Sequence, residues 1–354
     1  MTDLSPYKIV GDASLYLGNS IEVLASLPEA SVSMIFADPP YNLSNDGTSV
    51  HAGKRVSVNK GEWDRSKGVA EDFEFHNEWI AQCKRVLNPN GTIWISGTYH
   101  SIYACGYALQ LQGWRMLNDI AWYKPNAAPN LGCRMFTASH ETILWASVSK
   151  KSKHIFNYAE MREGHFPGDI IKNPGKQMRS VWSILTPGKS EKVHGKHPTQ
   201  KPEAVLDRII RASTNPGDVV LDPFSGSATT GVVALRHGRK YIGIDLSAEY
   251  IDTFAVPRLT DEIARRWAHQ FPATANVELV FTLDPLSTWG GNVASHGSPY
   301  AYDSHVPLIF AGAGIPAGRH PQFVRTVDLA PTLARLLGVK PLEAIDGVAL
   351  PIGR

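Results

Sequence analysis

Cysteine is scarce in this chain of 354 residues: Cys83, Cys105 and Cys133 are all there is. The number is odd and no two form a CxxC pair, which excludes a disulfide framework and a cysteine-rich zinc site. All three are expected as buried, reduced thiols. The opening MTDLSPYKIV lacks a basic stretch leading into an apolar one, and no apolar run approaches the ~18 residues that suggest a membrane span. A cytoplasmic protein with no membrane partner is therefore expected. A dominant charge is also missing, since 35 Lys and Arg face 33 Asp and Glu for a net +2. Local charge must carry any argument about a polyanionic partner. Internal repeats and low-complexity tracts are absent, and a composition of 43% apolar and 19% charged residues excludes disordered and fibrous classes.

What is present is a rhythm. Short apolar, β-rich runs at 32–37, 92–96, 119–123, 141–146, 219–221 and 241–244 alternate with helical patterns. Residues 75–87 form one helix, stopped by Asn88-Pro89-Asn90-Gly91. Another begins at Pro202 and is stopped by Asn215-Pro216-Gly217. Strands alternating with helices predict an α/β fold with a mostly parallel, doubly wound sheet. Its ligands would sit at the carboxyl ends of the strands.

Two segments break that rhythm. Residues 45–72 are rich in Gly, Lys, Ser and Asp, and read as a long functional surface loop. Residues 150–201 hold eleven Lys and Arg against four Asp and Glu, with Phe156, Tyr158, Phe166 and Trp182 interleaved. Such a mixture can neutralise phosphates and stack on bases, and a solvated basic loop is the plainer reading. Beyond about residue 259 the texture changes again, with sixteen Gly or Pro among the last sixty-nine residues. The expected division is 1–259 and 260–354.

In "VVLDPFSGSATTGVVAL", 219–235, a short strand ends at Asp222, turns through small residues and enters a helix near Thr229. The turn lets a ligand approach amides at a helix N-terminus. Asp245 ends the next strand twenty-three residues later, at a spacing suited to ribose hydroxyls. The Lys-Ser/Thr of a Walker loop is missing, which argues against ATP.

"SVSMIFADPPYN", 31–42, is a buried strand with a rigid polar tip. Proline fixes φ and removes amide donors, so Asp38 and the Pro39 carbonyl are expected as aimed acceptors, suited to an exocyclic amino group. The ring of Tyr41 can stack on a planar heterocycle. A plain Asp-Pro-Pro turn is the alternative.

Together "ADPPYN", "DPFSGSATTG" and "KHPTQKPEAVLDRII" resemble the S-adenosylmethionine-dependent amino methyltransferases of DNA, in the N6-adenine group whose catalytic motif precedes the cofactor motif. The resemblance covers roughly residues 5–258. It implies a Rossmann-like fold with a mostly parallel seven-stranded sheet, S-adenosyl-L-methionine as cofactor and DNA as partner, with the target base flipped out. Asp38, Pro39, Pro40 and Tyr41 would be catalytic. Asp222, Phe224, Gly226, Ala228, Thr229 and Asp245 would bind the cofactor, with His197, Thr199 and Lys201 beside its methionine part. Asn19 and Asn42 would line the site, and His140-Glu141 resembles a segment near the base pocket. The basic segment becomes the candidate for target recognition and the 45–72 loop a clamp over DNA. A homodimer and a cognate restriction endonuclease of the same site are further partners of that family.

Two positions depart from the pattern: the family's Gly-Ser-Gly reads Gly226-Ser227-Ala228 here, and Asn19 stands where Asp is usual. If position 228 requires positive φ, alanine costs on the order of 1 kcal/mol there. An N4-cytosine methyltransferase is the nearest rival, although that group usually has Ser in place of Asp38. A DNA-binding protein without catalysis is another reading. His76, His100, His154 and His165 show no ligand spacing, and no metal site is expected in the body. The tail, "HGSPYAYDSHVPLIFAG" and "VRTVDLAPTLARLLGV", resembles a C-terminal piece of the alkaline phosphatase and phosphodiesterase superfamily, in which His305 would be one zinc ligand of several. The remaining ligands and the nucleophile are missing, so the tail is expected as a fragment rather than a metal-dependent phosphatase.

Overall fold

The computed structural model describes residues 5–42, 44, 48–51, 54–57, 64–130, 133–173, 175–195, 197–268 and 329–337. In chain order the first half holds β1 (Lys8–Val10), β2 (Ala13–Leu17), α1 (Ser20–Ser26), β3 (Val32–Ala37), β4 (Thr48–His51), β5 (Lys54–Ser57), α2 (Val69–Val86), β6 (Leu87–Gly97), α3 (Ile102–Leu111) and β7 (Arg115–Tyr123). Then come β8 (His140–Ser147), α4 (Tyr158–Glu163), β9 (Val181–Ser183), α5 (Glu203–Ser213), β10 (Val219–Asp222), α6 (Thr229–Arg236), β11 (Lys240–Asp245), α7 (Ala248–Tyr250), a π turn over Ile251–Ala255, α8 (Val256–Ala268) and α9 (Leu329–Leu337).

Nine strands form one sheet in the order β1-β2-β11-β10-β3-β6-β8-β7-β9, while β4 and β5 make a separate antiparallel hairpin. Only β1 and β8 run against the other seven. The mostly parallel α/β sheet is as expected, but it has nine strands rather than seven because three-residue β1 and β9 extend its edges. From β10 the chain moves outward to β11, and from β3 it moves the other way to β6. The crevice between β3 and β10 is therefore the topological switch point, where ligands of such sheets bind.

Alternation along β3 divides the core. Met34 and Phe36 pack with α5 and α6 on one face, while Ile35 and Ala37 pack with α1, α2 and α3 on the other. Burying a side chain such as Phe36 contributes about 1.5–3 kcal/mol. Trp79, Ile80, Cys83 and Val86 form the buried stripe of α2. That helix begins at Val69, not at residue 75, so the end of the expected 45–72 loop is helical. Its first turn carries Glu71 and Asp72, which hide the apolar period yet favour a helix N-terminus.

The expected boundary at residue 260 falls inside α8. Leu259 is fully buried, Arg258 donates to the Ser227 carbonyl and Thr229 Oγ1, and nearly buried Glu262 pairs with Arg236. This helix packs on the body through at least Ile263. Within the tail only α9 is described, and His305 lies outside the described residues. Among the described residues no group of three or more His, Cys, Asp or Glu could hold a metal ion, and no helix is long and apolar enough to cross a membrane. Cys83 and Cys105 are buried as expected, whereas Cys133 is exposed.

Candidate active site

The carboxyl edge of the sheet brings three tips together: 38–42 after β3, 223–228 after β10 and 245–247 after β11. They line a cavity of about 700 Å³ with Phe75, His197, Thr199 and Tyr250. Asp38, Pro39, Pro40, Tyr41, Phe224, Gly226 and Asp245 all face it, as do Asn19 and Asn42. Residues separated by nearly two hundred positions thus share one pocket.

Tyr41 is the hub of the tip after β3. Its phenol lies 2.6 Å from Asp38 Oδ1, 2.9 Å from Glu141 Oε2 and 3.2 Å from Ser96 Oγ. Lys201 Nζ reaches Asp38 Oδ2 at 2.5 Å and Glu141 Oε2 at 3.6 Å, and stands 5.1 Å from the Tyr41 ring centroid. Lys124 Nζ contacts Glu141 Oε1 at 3.0 Å. Two carboxylates and two ammonium groups so share one largely enclosed cluster of balanced charge. Burial pushes Asp38 up from the ordinary carboxylate range, and the neighbouring Glu141 charge adds to this against the pull of Lys201. Burial also opposes ionisation of Glu141, but Lys201 and Lys124 outweigh it and hold that carboxyl down at about 2. For Lys201, the burial that disfavours its charge is more than offset by the two carboxylates, so its pKa rises.

Asp38 was expected as an acceptor with no local amide to occupy it. No amide does, yet both its oxygens are engaged, one by Tyr41 and one by Lys201. Lys201, expected beside the cofactor, lies against Asp38 and also lines a small cavity with His197, Thr199 and Gly226. Its position follows from Pro202, which caps α5 and fixes the entry of the chain at the edge of the sheet.

Asp64 was missed by sequence reasoning. It is buried, and its Oδ1 accepts the amides of Tyr41 and Asn42 at 2.8 and 2.9 Å. Asn42 has φ +59°, and the Asp64 carboxylate holds both amides across that left-handed turn. Asp64 sits in "EWDRSKG", where one of two acids in a mostly polar stretch gives no periodic signal. Glu141 was expected near the base pocket only through the family resemblance; the structure places it against Tyr41, with Lys124 and Lys201 beside it.

On the cofactor side the turn after β10 is tight. Gly226 has φ +50°, and a Cβ at this position would meet the His197 ring at 2.9 Å, so glycine is required. Its amide donates to Asp245 Oδ2 at 2.8 Å, and Ser247 N donates to Asp245 Oδ1 at 2.8 Å. These bonds fix the carboxylate, whose remaining lone pairs can accept from ribose hydroxyls. Phe224 packs edge-on to Trp79 and leaves part of its ring on the cavity. Apolar Phe75, Phe224 and Leu246 suit a flat heterocycle, and Asp245 suits a ribose; the cavity fits an adenosyl group of S-adenosyl-L-methionine.

Three expected cofactor contacts are placed differently. Asp222 lines a small adjoining cavity, where it accepts from Phe224 N and Thr230 Oγ1, and burial pushes its carboxyl up to about 7. Thr229 lines that same small cavity and binds Arg258. Ala228 is fully buried as the cap of α6, with φ +53° and ψ +34°. Position 228 therefore does require the left-handed conformation. Asn19 faces the large cavity, but its carboxamide oxygen is occupied by Ile21 N as the cap of α1.

The basic segment divides. Phe166 and Trp182 are buried against Arg208, whose guanidinium lies 5.1 and 4.8 Å from their ring centroids and pairs with Asp169. They cannot stack on bases. Lys153 N is held by Asn90 at the start of β6, so this part of the segment lies at the opposite edge from the tip after β3. After β9 the chain returns to the carboxyl edge of the sheet, carrying exposed Lys189 and partly exposed Lys192. Among the other histidines, His76 is a packing residue. It is buried, accepts from Trp79 Nε1, and is pushed down to about 4 by burial.

A switch-point cavity suited to an adenosyl group, faced by an acidic proline-rigid tip, defines a Rossmann-like methyltransferase using S-adenosyl-L-methionine. The comparisons narrow this class. The DNA methylase family matches residues 32–256, and the chain belongs to it. It is 52% identical over 247 residues to the Type II methyltransferase M2.LlaDCHI of Lactococcus lactis subsp. cremoris, covering 70% of this chain and 89% of that protein. With M2.DpnII of Streptococcus pneumoniae it is 51% identical over 247 residues, with the same coverage. Among solved structures, the M1.HpyAVI–SAM complex is 30% identical with a TM-score of 0.50, covering 70% of this chain and 98% of that one. The cytosine-N4-specific PvuII DNA methyltransferase shares the fold at 21% identity and TM-score 0.55, covering 74% and 94%. The protein is a DNA methyltransferase, and the family match ends before the tail.

Proposed function

We propose that this methyltransferase modifies the N6 amino group of adenine at a specific DNA sequence, after the base has left the helical stack. The observation that carries the reading is the acid at position 38, aimed from a proline-rigid tip at the mouth of the cofactor cavity. When bound, S-adenosyl-L-methionine supplies an electrophilic methyl group on sulfur. The adenine amino nitrogen is a poor nucleophile because its lone pair is delocalised into the ring. Asp38 Oδ1 and the Pro39 carbonyl accept its two N–H groups, and this pulls the nitrogen toward sp³ geometry as its lone pair meets the methyl. For Asp38 to do so, the Tyr41 hydroxyl turns from Asp38 to Glu141, already 2.9 Å away. One N–H proton then leaves through Asp38 to solvent. Tyr41 stacks on the extruded ring, and Lys201 and Lys124 hold the two carboxylates ionised together.

The basic residues at the catalytic edge, Lys189 and Lys192 among them, support a DNA-facing surface there, and the hairpin of β4 and β5 a clamp beside it. The Type II names of the relatives support a cognate restriction endonuclease acting on the same site. A homodimer is a further part of this reading, tested by light scattering of the purified chain.

Asp38→Ala tests the mechanism. Methyl incorporation into DNA from labelled cofactor should vanish, while DNA binding in a gel-shift titration stays within about threefold, since each binding factor of ten is only 1.4 kcal/mol. Turnover retained in this variant would contradict the assigned role.

A further inference from the structure

The loop joining β7 to β8 leaves the sheet at the catalytic edge and returns to it one residue before Glu141 of the Tyr41 cluster. Its tip carries Met135 and Phe136, 72% and 99% exposed. Single exposed apolar residues are ordinary, but this pair is presented by a built structure. At the root of the loop, Asn126 Nδ2 donates to Thr186 Oγ1 at 2.9 Å and Thr186 N returns to Asn126 Oδ1 at 3.3 Å, fastening it to the basic segment. At the tip, Asn130 Nδ2 donates to the Met135 carbonyl and Asn130 N to Thr137 Oγ1. Asn126, Asn130 and Thr137 thus bond to the loop itself or to its neighbour, while Met135 and Phe136 stay exposed with exposed Arg134 next to them.

Resting on the base-flipping reading above, we propose that Phe136, supported by Met135, is the wedge that enters the base stack as the target base leaves it. Extrusion opens a gap with exposed faces above and below, and it costs a few kcal/mol of lost stacking and pairing. An aromatic ring held at the edge beside the base pocket fills that gap; apolar residues inserted between base steps do so in other DNA-bending proteins. Arg134 is placed to meet the flanking phosphates.

The test compares Phe136→Ala with wild type on three substrates of one sequence: matched duplex, duplex with an abasic site opposite the target, and the single strand. Only the matched duplex needs the full work of extrusion. The variant is expected to lose about tenfold in kcat/KM on it, equivalent to about 1.4 kcal/mol, and to stay within about twofold of wild type on the other two. Phe136→Trp should retain duplex activity. With 2-aminopurine at the target position, the fluorescence rise on binding matched duplex should fall in the alanine variant. An equal loss on all three substrates, or no loss on the matched duplex, would overturn the wedge. Wild-type methylation of the single strand reports the underlying reading separately, so the two can fail independently.

Discussion

Lys201 Nζ stands 2.5 Å from Asp38 Oδ2, a contact between residues 163 positions apart that ties the start of α5 to the tip of β3. Removing the cation would leave Asp38 and Glu141 buried as neighbouring anions. In the proposed step Asp38 can take up the departing proton only when ionised, and burial already raises its pKa. Lys201→Met takes away an interaction that lowers it, so the pKa rises further and the acidic limb of kcat moves to higher pH. A pH profile of kcat should show that displacement, together with a loss of at least about tenfold at pH 7; breaking a buried pair costs about 3–5 kcal/mol. An unmoved limb would place Lys201 outside this network.

Asp64 holds the other side of the same tip. Asp64→Ala leaves the buried amides of Tyr41 and Asn42 without their acceptor, at about 1–3 kcal/mol for an unsatisfied group. The expected result is a drop in kcat of at least about tenfold, with Asp64→Asn intermediate because it keeps one oxygen for both amides. Steady-state kinetics of the two variants, with thermal melting as a control for folding, provide the measurement.

Ala228 occupies a conformation that glycine adopts without penalty. Relief of its Cβ strain is on the order of 1–2 kcal/mol, and loss of a buried methyl offsets about 0.8 kcal/mol of this. Ala228→Gly should therefore leave stability unchanged or raise it by up to about 1 kcal/mol, whereas β-branched Ala228→Val should be strongly destabilising. Urea denaturation of both variants decides the point, and clear destabilisation by glycine would contradict the left-handed assignment.

How much of this was legible in the sequence depends on how each signal is encoded. The strands β3, β10 and β11 and both flanking tips are local patterns, and their residues could be named from spacing and motif. The edge strand β1 and the basic-segment strand β9 are only three residues long, too short for a period to show. Asp64 and Lys124 act through contacts that only the folded chain creates. Phe166 and Trp182 had the composition of a base-stacking surface, but their partner proved to be Arg208 within the protein. The rigidity of the tip was evident from Pro39 and Pro40; the cluster that balances its charge was not.

The helix α8 fixes where the body ends. Deleting residues 269–354 should preserve methylation, while deleting from residue 262 removes Glu262 from Arg236 and should destabilise the fold. Parallel melting curves and incorporation assays of the two truncations would separate these outcomes, and inactivity of the longer form would show that the tail contributes.

The most direct test of the account is the identity of the methylated base. Unmodified plasmid DNA incubated with the purified protein and labelled S-adenosyl-L-methionine, then digested to nucleosides and resolved by mass spectrometry, should yield label in N6-methyladenine. Label in N4-methylcytosine, or none in any nucleoside, would contradict it.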